Sequence, residues 1–176
     1  MEIKENNIML IGFMGTGKTT VSHELSRQMQ IPEIDMDAYI VKHEGKSISD
    51  IFAESGEAAF RDIETACLKE IQQTTGRIVS CGGGAVLRDE NVECMKRNGV
   101  IVLLTAEPET IYKRVRYSTD RPILNGHMNV GYIKQLMEKR KPRYTEVADI
   151  VIETDKKDIS AVAGEIILKI GKFDKK

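Results

Sequence analysis

The sequence predicts an α/β fold built on a small, doubly wound parallel sheet, and three observations predict it. Apolar, strand-like runs alternate with amphipathic stretches along the whole chain, the pattern of parallel strands joined by crossover helices. A length of 176 residues, without repeats, low-complexity segments or a proline-rich linker, suits one core that buries roughly 70% of the unfolded surface. The first apolar run leads into a glycine-rich loop and then a helix-like stretch, an arrangement with its own chemistry.

That first run is residues 8–11, and the loop after it reads Gly12-Phe13-Met14-Gly15-Thr16-Gly17-Lys18-Thr19, matching the phosphate-binding pattern G-x-x-x-x-G-K-[ST]. A helix-like stretch, residues 20–29, follows. The glycines let the backbone turn tightly and aim consecutive N–H groups at phosphate oxygens, and the helix adds the positive end of its dipole. Lys18 is expected to reach the β- and γ-phosphates, and the Thr19 hydroxyl to ligate Mg2+. A dinucleotide loop fits less well, because Gly15-Thr16-Gly17-Lys18-Thr19-Thr20 lacks the third glycine of G-x-G-x-x-G.

The second strand is short, Glu33–Asp35. Asp35 and Asp37 lie two apart at its end, so both carboxylates are expected to point toward the same side of the sheet edge, where α/β proteins bind ligands. One can hold the Mg2+ shell while the other accepts a hydroxyl proton, or both can cap the next helix. Ser47 through Phe52 has the form of a capped helix start, and residues 57–73 carry Ala59, Phe60, Ile63, Ala66, Cys67 and Ile71 at helical spacing. Arg61 on that stretch has Glu64 three residues later. The pair reads either as a carboxylate steering a guanidinium or as a surface ion pair.

The third strand, residues 78–81, runs into Gly82-Gly83-Gly84, where the backbone can approach a ligand closely and offer N–H donors. Ser80 stands where many phosphate-loop enzymes place an aspartate, and can act through water. Residues 100–104 form the fourth strand, and Pro108 sits in the first turn of a helix over 109–116. Periodicity then breaks over 117–130, which contains Asp120, Arg121, Pro122, Asn125, Gly126 and Asn129 and reads as an exposed, lid-like loop. Lys139, Arg140, Lys141 and Arg143 cluster near a helix end, where basic residues favour the dipole without any ligand. Ile150–Glu153 is the fifth strand.

The net charge is −1, from 26 basic and 27 acidic residues, and makes no electrostatic case for nucleic acid or an anionic membrane. Any anion site must therefore be local. Cys67, Cys81 and Cys94 are widely spaced and odd in number, which favours buried free thiols in a reducing cytosol over a disulfide framework or a metal site. The polar first seven residues and the short apolar run after them lack the form of a secretory signal or a membrane span. A cytoplasmic protein, a monomer, is expected.

Taken together, these motifs resemble the shikimate kinases, over residues 8–170. The resemblance rests on the phosphate loop through Thr20, Asp35-Met-Asp37, the stretch Ser49-Asp-Ile-Phe52-Ala-Glu-Ser-Gly-Glu-Ala-Ala-Phe60-Arg61-Asp-Ile-Glu64, Gly82-Gly83-Gly84, Arg121-Pro122 and Arg140-Lys-Pro-Arg-Tyr144. It implies the three-layer P-loop kinase fold, with a five-stranded parallel sheet in the order 2-3-1-4-5, flanked by helices. The whole chain would be one domain, with a mobile lid at about 117–130 and an acceptor-binding region at about 35–64. The implied activity is transfer of the ATP γ-phosphate to the 3-hydroxyl of shikimate, in the chorismate route to aromatic amino acids, with Mg2+ as cofactor.

By matching position, Asp37 would bind the accepting hydroxyl and act as base, beside Lys18 and Arg121 as catalytic residues. Gly12, Met14, Gly15, Thr16, Gly17, Lys18, Thr19 and Thr20 would hold ATP, with Arg114 over the adenine and Arg121 brought to the β/γ-phosphates. Thr19, and Asp35 through water, would serve the metal. Arg61 and Arg140 would clamp the substrate carboxylate, Gly83 with its neighbours Gly82 and Gly84 would contribute backbone N–H, and Glu64 would hold Arg61. Phe52, Phe60 and Pro122 would line the ring pocket. Another small-metabolite kinase of this fold, acting on gluconate or a nucleotide, would not need two spaced arginines with a triple glycine. A non-catalytic ATP-binding module should have lost the acceptor residues, yet they are present.

Overall fold

The computed structural model describes residues 6–117 and 129–173. Its sheet has five parallel strands in the order β2-β3-β1-β4-β5: β1 (Asn7–Ile11), β2 (Glu33–Asp35), β3 (Ile78–Ser80), β4 (Gly99–Thr105) and β5 (Ile150–Glu153). The expected second and fifth strands agree residue for residue; the first and third differ by one residue at one end, and the fourth is longer by one residue at each end. Order 2-3-1-4-5 reverses direction next to β1, so the crevice outside the strand C-termini opens beside the loop that follows β1.

Period-two alternation divides the strand side chains between two cores. Ile8, Leu10, Val100, Val102, Leu104, Ile150 and Ile152 face α1 (Lys18–Met29) and α7 (Ile159–Phe173), meeting Val21, Leu25, Val162 and Ile166. Met9, Ile11, Val79, Ile101 and Leu103 face the opposite layer. That layer comprises α3 (Ile48–Ile71), α4 (Asp89–Arg97), α5 (Pro108–Val115) and α6 (Val130–Val147). Burial on both faces explains why these strands are nearly continuous apolar runs. A third, smaller cluster of Ile40, Ile51, Phe60 and Cys67 joins α2 (Met36–Glu44) to α3.

The helix boundaries follow local chemistry. The stretch expected from residue 20 begins at Lys18, because Gly17 at φ 93° already ends the loop. Ser47 caps α3 by accepting from the Asp50 N–H. The two helical segments read separately in the sequence are joined in α3, with a kink at Gly56 (φ 80°, ψ 175°), a backbone that glycine adopts without penalty. Pro108 occupies the first turn of α5 as expected. Within the expected lid, 118–128, including Arg121 and Pro122, lie outside the described residues.

Candidate active site

A cleft of about 380 Å³ opens at the C-terminal ends of the strands and is lined by Met14 through Val21, Asp35, Asp37, Ser80, Cys81, Gly83 and Arg114. Thr154, Lys157, Ile159 and Val162 close its far end. The phosphate loop forms its floor. Gly12 packs so tightly that an added Cβ would stand 2.4 Å from the Leu104 carbonyl oxygen. Gly17, the residue before α1, supplies no side-chain cap, so the first N–H groups of the helix are left for an anion. The Thr16 hydroxyl ties back to the Phe13 carbonyl at 2.8 Å, and Lys18 curls over the loop with Nζ 3.0 Å from the Gly12 carbonyl and 3.1 Å from that of Phe13.

Beside the loop, oxygen donors from three elements converge. Thr19 donates its hydroxyl to Asp35 Oδ2 at 2.7 Å and lies 3.5 Å from Ser80 Oγ, while the parallel register sets Asp35 directly beside Ser80. Asp35 Oδ1 also accepts from the Ala38 N–H at 3.0 Å, so this carboxylate is both the cap of α2 and a neighbour of Thr19. The strand-alternation argument for the aspartate pair needs correction. Asp37 is not on β2 but in the first turn of α2, and the helix turn, not the pleat, brings it into the same cleft. No cluster of three His, Cys, Asp or Glu side chains exists among the described residues. The set of one carboxylate and two hydroxyls fits Mg2+, which keeps most of its water and takes further oxygens from phosphate.

Beyond Gly83 the cleft meets a buried ionic cluster. Arg61, 8% exposed, donates from Nη1 to Glu64 Oε2 at 2.7 Å and from Nη2 to Glu57 Oε1 at 3.2 Å, and its Cζ lies 5.1 Å from the centre of the Phe60 ring. Phe60 in turn packs on Phe52 with ring centres 4.8 Å apart. This is not the surface ion pair that spacing alone allowed, because Glu64 is 0% exposed. Burial pushes the Glu64 carboxyl above the usual carboxylate range, against the pull of Arg61. Burial also opposes the charge of Arg61, but Glu64 and Glu57 outweigh it and hold the guanidinium pKa above its ordinary value.

The three glycines explain how these groups come together. A Cβ on Gly84 would lie 2.3–2.6 Å from the atoms of the Arg61 guanidinium, and one on Gly82 would lie 2.6 Å from Glu64 Oε1 and 3.3 Å from Asp37 Oδ1. Gly83 has more room, with Met14 N at 3.5 Å from the same construction and the Tyr144 hydroxyl at 4.0 Å. Close packing therefore requires two of the glycines, and the third faces the phosphate loop.

Arg140 and Tyr144, one turn apart on α6, complete the far wall. Arg140 is 8% exposed, lies 5.9 Å from the centre of the Phe13 ring, and leaves Nη1 buried without a hydrogen-bond partner. Of the basic cluster at 139–143, only Lys139 and Lys141 are exposed; Arg143 is tied to the Val86 carbonyl at 2.8 Å and to Asp89 and Glu146. The reading of this cluster as one that favours a helix end is thus corrected: α6 runs on to Val147 with no basic residue in its last turn, and Arg140 and Arg143 are turned into the protein. Arg114 donates to the Gly15 carbonyl at 3.0 Å and reaches Thr154 at 3.4 Å, placing it over the outer rim of the loop. Ile159 and Val162 were not singled out from the sequence; their position after the last strand, on the ligand-binding edge of the sheet, was the available signal.

Comparison with known proteins agrees with this geometry. The family model for shikimate kinase matches residues 14–171. A shikimate kinase from Dehalococcoides mccartyi is 40% identical over 97% of this chain and 96% of its own length, and one from Thermodesulfovibrio yellowstonii is 42% identical over 92% of each. The solved structure of shikimate kinase from Acinetobacter baumannii in complex with shikimate superposes with a TM-score of 0.93 at 32% identity, covering 99% of this chain and 97% of that one. A P-loop cleft, an aspartate at the acceptor end, two buried arginines across a glycine turn and full-length similarity lead to one conclusion: the chain belongs to the shikimate kinase family.

Proposed function

We propose that the cleft transfers the γ-phosphate of ATP to the 3-hydroxyl of shikimate, giving shikimate 3-phosphate and ADP, with the work divided among residues as follows. The observation that carries this assignment is the Gly82–Gly84 turn, which packs against Asp37, Arg61 and Glu64 on one side and reaches Tyr144 and the phosphate loop on the other. A small acceptor bearing a carboxylate and a hydroxyl fits between them.

The phosphate loop and the uncapped start of α1 bind the triphosphate, with Arg114, Thr154 and Lys157 at the adenine end. Lys18 swings from its loop carbonyls to the β/γ-phosphates. Thr19 and, through water, Asp35 and Ser80 would hold Mg2+, which when bound neutralises phosphate charge. Arg140 and Arg61 grip the substrate carboxylate, and Asp37 orients the hydroxyl and takes its proton. Phosphoryl transfer passes through a loose transition state, so positioning and charge neutralisation matter more than the strength of the base. Arg121 and Pro122 belong to this proposal by resemblance, as do the lid at 117–130 and the acceptor region at 35–64.

Action as a cytoplasmic monomer is part of the same reading, its reducing compartment supported by three buried, unbridged cysteines. No helix among the described residues is long and apolar enough to cross a membrane. The test is ADP release from purified protein with ATP, Mg2+ and a panel of acceptors: shikimate, quinate, gluconate and nucleoside monophosphates. Release confined to shikimate is expected. Equal rates with gluconate or a nucleotide would overturn the assignment.

A further inference from the structure

We infer that Tyr144 is a positioning residue for the acceptor site, its hydroxyl fixing the Arg140 guanidinium and the Gly82–Gly84 turn to each other before substrate arrives. The inference rests on the reading of Arg140 as a carboxylate ligand. Tyr144 lies four residues after Arg140, so both side chains project from one face of α6. The phenol ring is 5% exposed and belongs to the core cluster that includes Phe13, Ile133 and Val147, which leaves it one orientation. Its hydroxyl donates to the Gly83 carbonyl. Burial pushes the phenol pKa up, and the Arg140 cation beside it works against that rise.

The turn shows why that bond matters. The Gly82 carbonyl accepts from the Ala85 N–H at 3.1 Å and the Gly84 carbonyl from the Leu87 N–H at 3.0 Å, both within the turn itself. The Gly83 carbonyl is satisfied from outside, by Tyr144. Among the described residues, none of the three glycine N–H groups donates to a backbone carbonyl, so a turn held by its oxygens keeps its nitrogens for a ligand. Arg140 stands in the same relation. Its guanidinium lies against the Phe13 ring beside the phenol, and Nη1 is a buried donor without a hydrogen-bond partner among the described residues. A phenol bonded to the turn and packed one helical turn from Arg140 ties the positions of the two groups together.

Tyr144→Phe keeps the ring and removes the hydroxyl. The shikimate KM is expected to rise about tenfold, the lower end for a lost hydrogen bond to a charged group, while kcat and the ATP KM change less than about twofold. In an Arg140→Ala background the same change is expected to raise the shikimate KM by less than it does in the wild type, because part of its effect runs through Arg140. An unchanged shikimate KM, a parallel rise in the ATP KM, or additive effects in the double variant would each overturn the inference. The underlying reading fails separately, through Arg140→Ala alone leaving the shikimate KM unchanged. Should Tyr144→Phe not fold, a ring-fluorinated tyrosine at position 144 preserves shape and lowers the phenol pKa. A shifted shikimate KM with a constant ATP KM then supports the inference, and no shift overturns it.

Discussion

Adding one methyl group at position 84 should do more harm than adding it at position 83, and the structure sets the size of the difference. In Gly84→Ala the new Cβ would lie 2.3 Å from Arg61 Nη2, 2.5 Å from Cζ and 2.6 Å from Nη1. Ordinary contact needs about 3.5 Å, so the guanidinium would have to retreat by about 1 Å. It is not free to do so, because Nη1 is held at 2.7 Å by Glu64, itself fully buried, and the Phe60 ring lies alongside. Overpacking of this kind costs about 1–3 kcal/mol, which for a chain of this size lowers Tm by about 2–12 °C. Displacing Arg61 should also raise the shikimate KM by about tenfold or more, with the ATP KM nearly unchanged. In Gly83→Ala the nearest atom would be 3.5 Å away, and no left-handed backbone is involved, so the reduced freedom of the unfolded chain should leave Tm equal or slightly higher. Thermal melts of both variants with steady-state kinetics of the first provide the check. If Gly84→Ala melts with the wild type and keeps its shikimate KM, the packing argument is refuted.

Asp37→Asn should lower turnover by roughly 10²–10⁴-fold, the range for a general base, with ATP affinity nearly intact; a change confined to Mg2+ dependence would exchange its role with that of Asp35. Arg121→Ala, at a position outside the described residues, should reduce turnover more than substrate binding, with ~10³–10⁵-fold as the ceiling and the lower half expected because Lys18 shares the charge. Near-normal turnover would remove Arg121 from the mechanism. Glu64 has its folded pKa raised by burial, so its contribution to stability is complete below the unfolded carboxylate pKa and is lost as pH rises through the folded one. The Tm of the wild type relative to Glu64→Gln should therefore fall as pH rises above the ordinary carboxylate range of about 4; a constant or growing difference would show that Arg61 dominates the carboxyl instead.

The parts of the site legible in the sequence are those whose chemistry is local. The phosphate loop is one run of eight residues whose spacing alone dictates backbone donors, a lysine and a hydroxyl, and the structure places them in the cleft as expected. Burial was not legible where it depends on distant segments. Arg61 and Glu64 three apart look like any helix-surface pair until Gly82 and Gly84, some twenty residues later, pack against them. Spacing likewise gave no reason to separate Arg140 from its exposed neighbours Lys139 and Lys141, because the difference is made by Phe13 and Tyr144. Resemblance to a family supplied both arginines. Asp37 was found for an incorrect reason, since a three-residue strand ends before its alternation can reach that far.

The two arginines differ in what their surroundings leave them to offer. Arg61 carries one positive charge and pairs with two carboxylates, Glu64 and Glu57, with Asp37 close enough to raise the Glu64 pKa further. Wherever both carboxylates are ionised, the local sum around it is negative before any ligand arrives. Glu64 is also an expensive partner, fully buried with Oε1 lacking a hydrogen bond, and a buried ion pair of this sort is weak evidence for stability. What it provides is a guanidinium with one available position. Arg140 pairs with no carboxylate among the described residues; its neighbours are an aromatic face and a neutral hydroxyl, which orient the cation without cancelling it. If the proposed assignment of both arginines to the substrate carboxylate holds, the net attraction comes from Arg140, and Arg61 contributes alignment. The phosphate loop needs no such division, because its donors are backbone N–H groups whose geometry and partial charge are set by the same chain path.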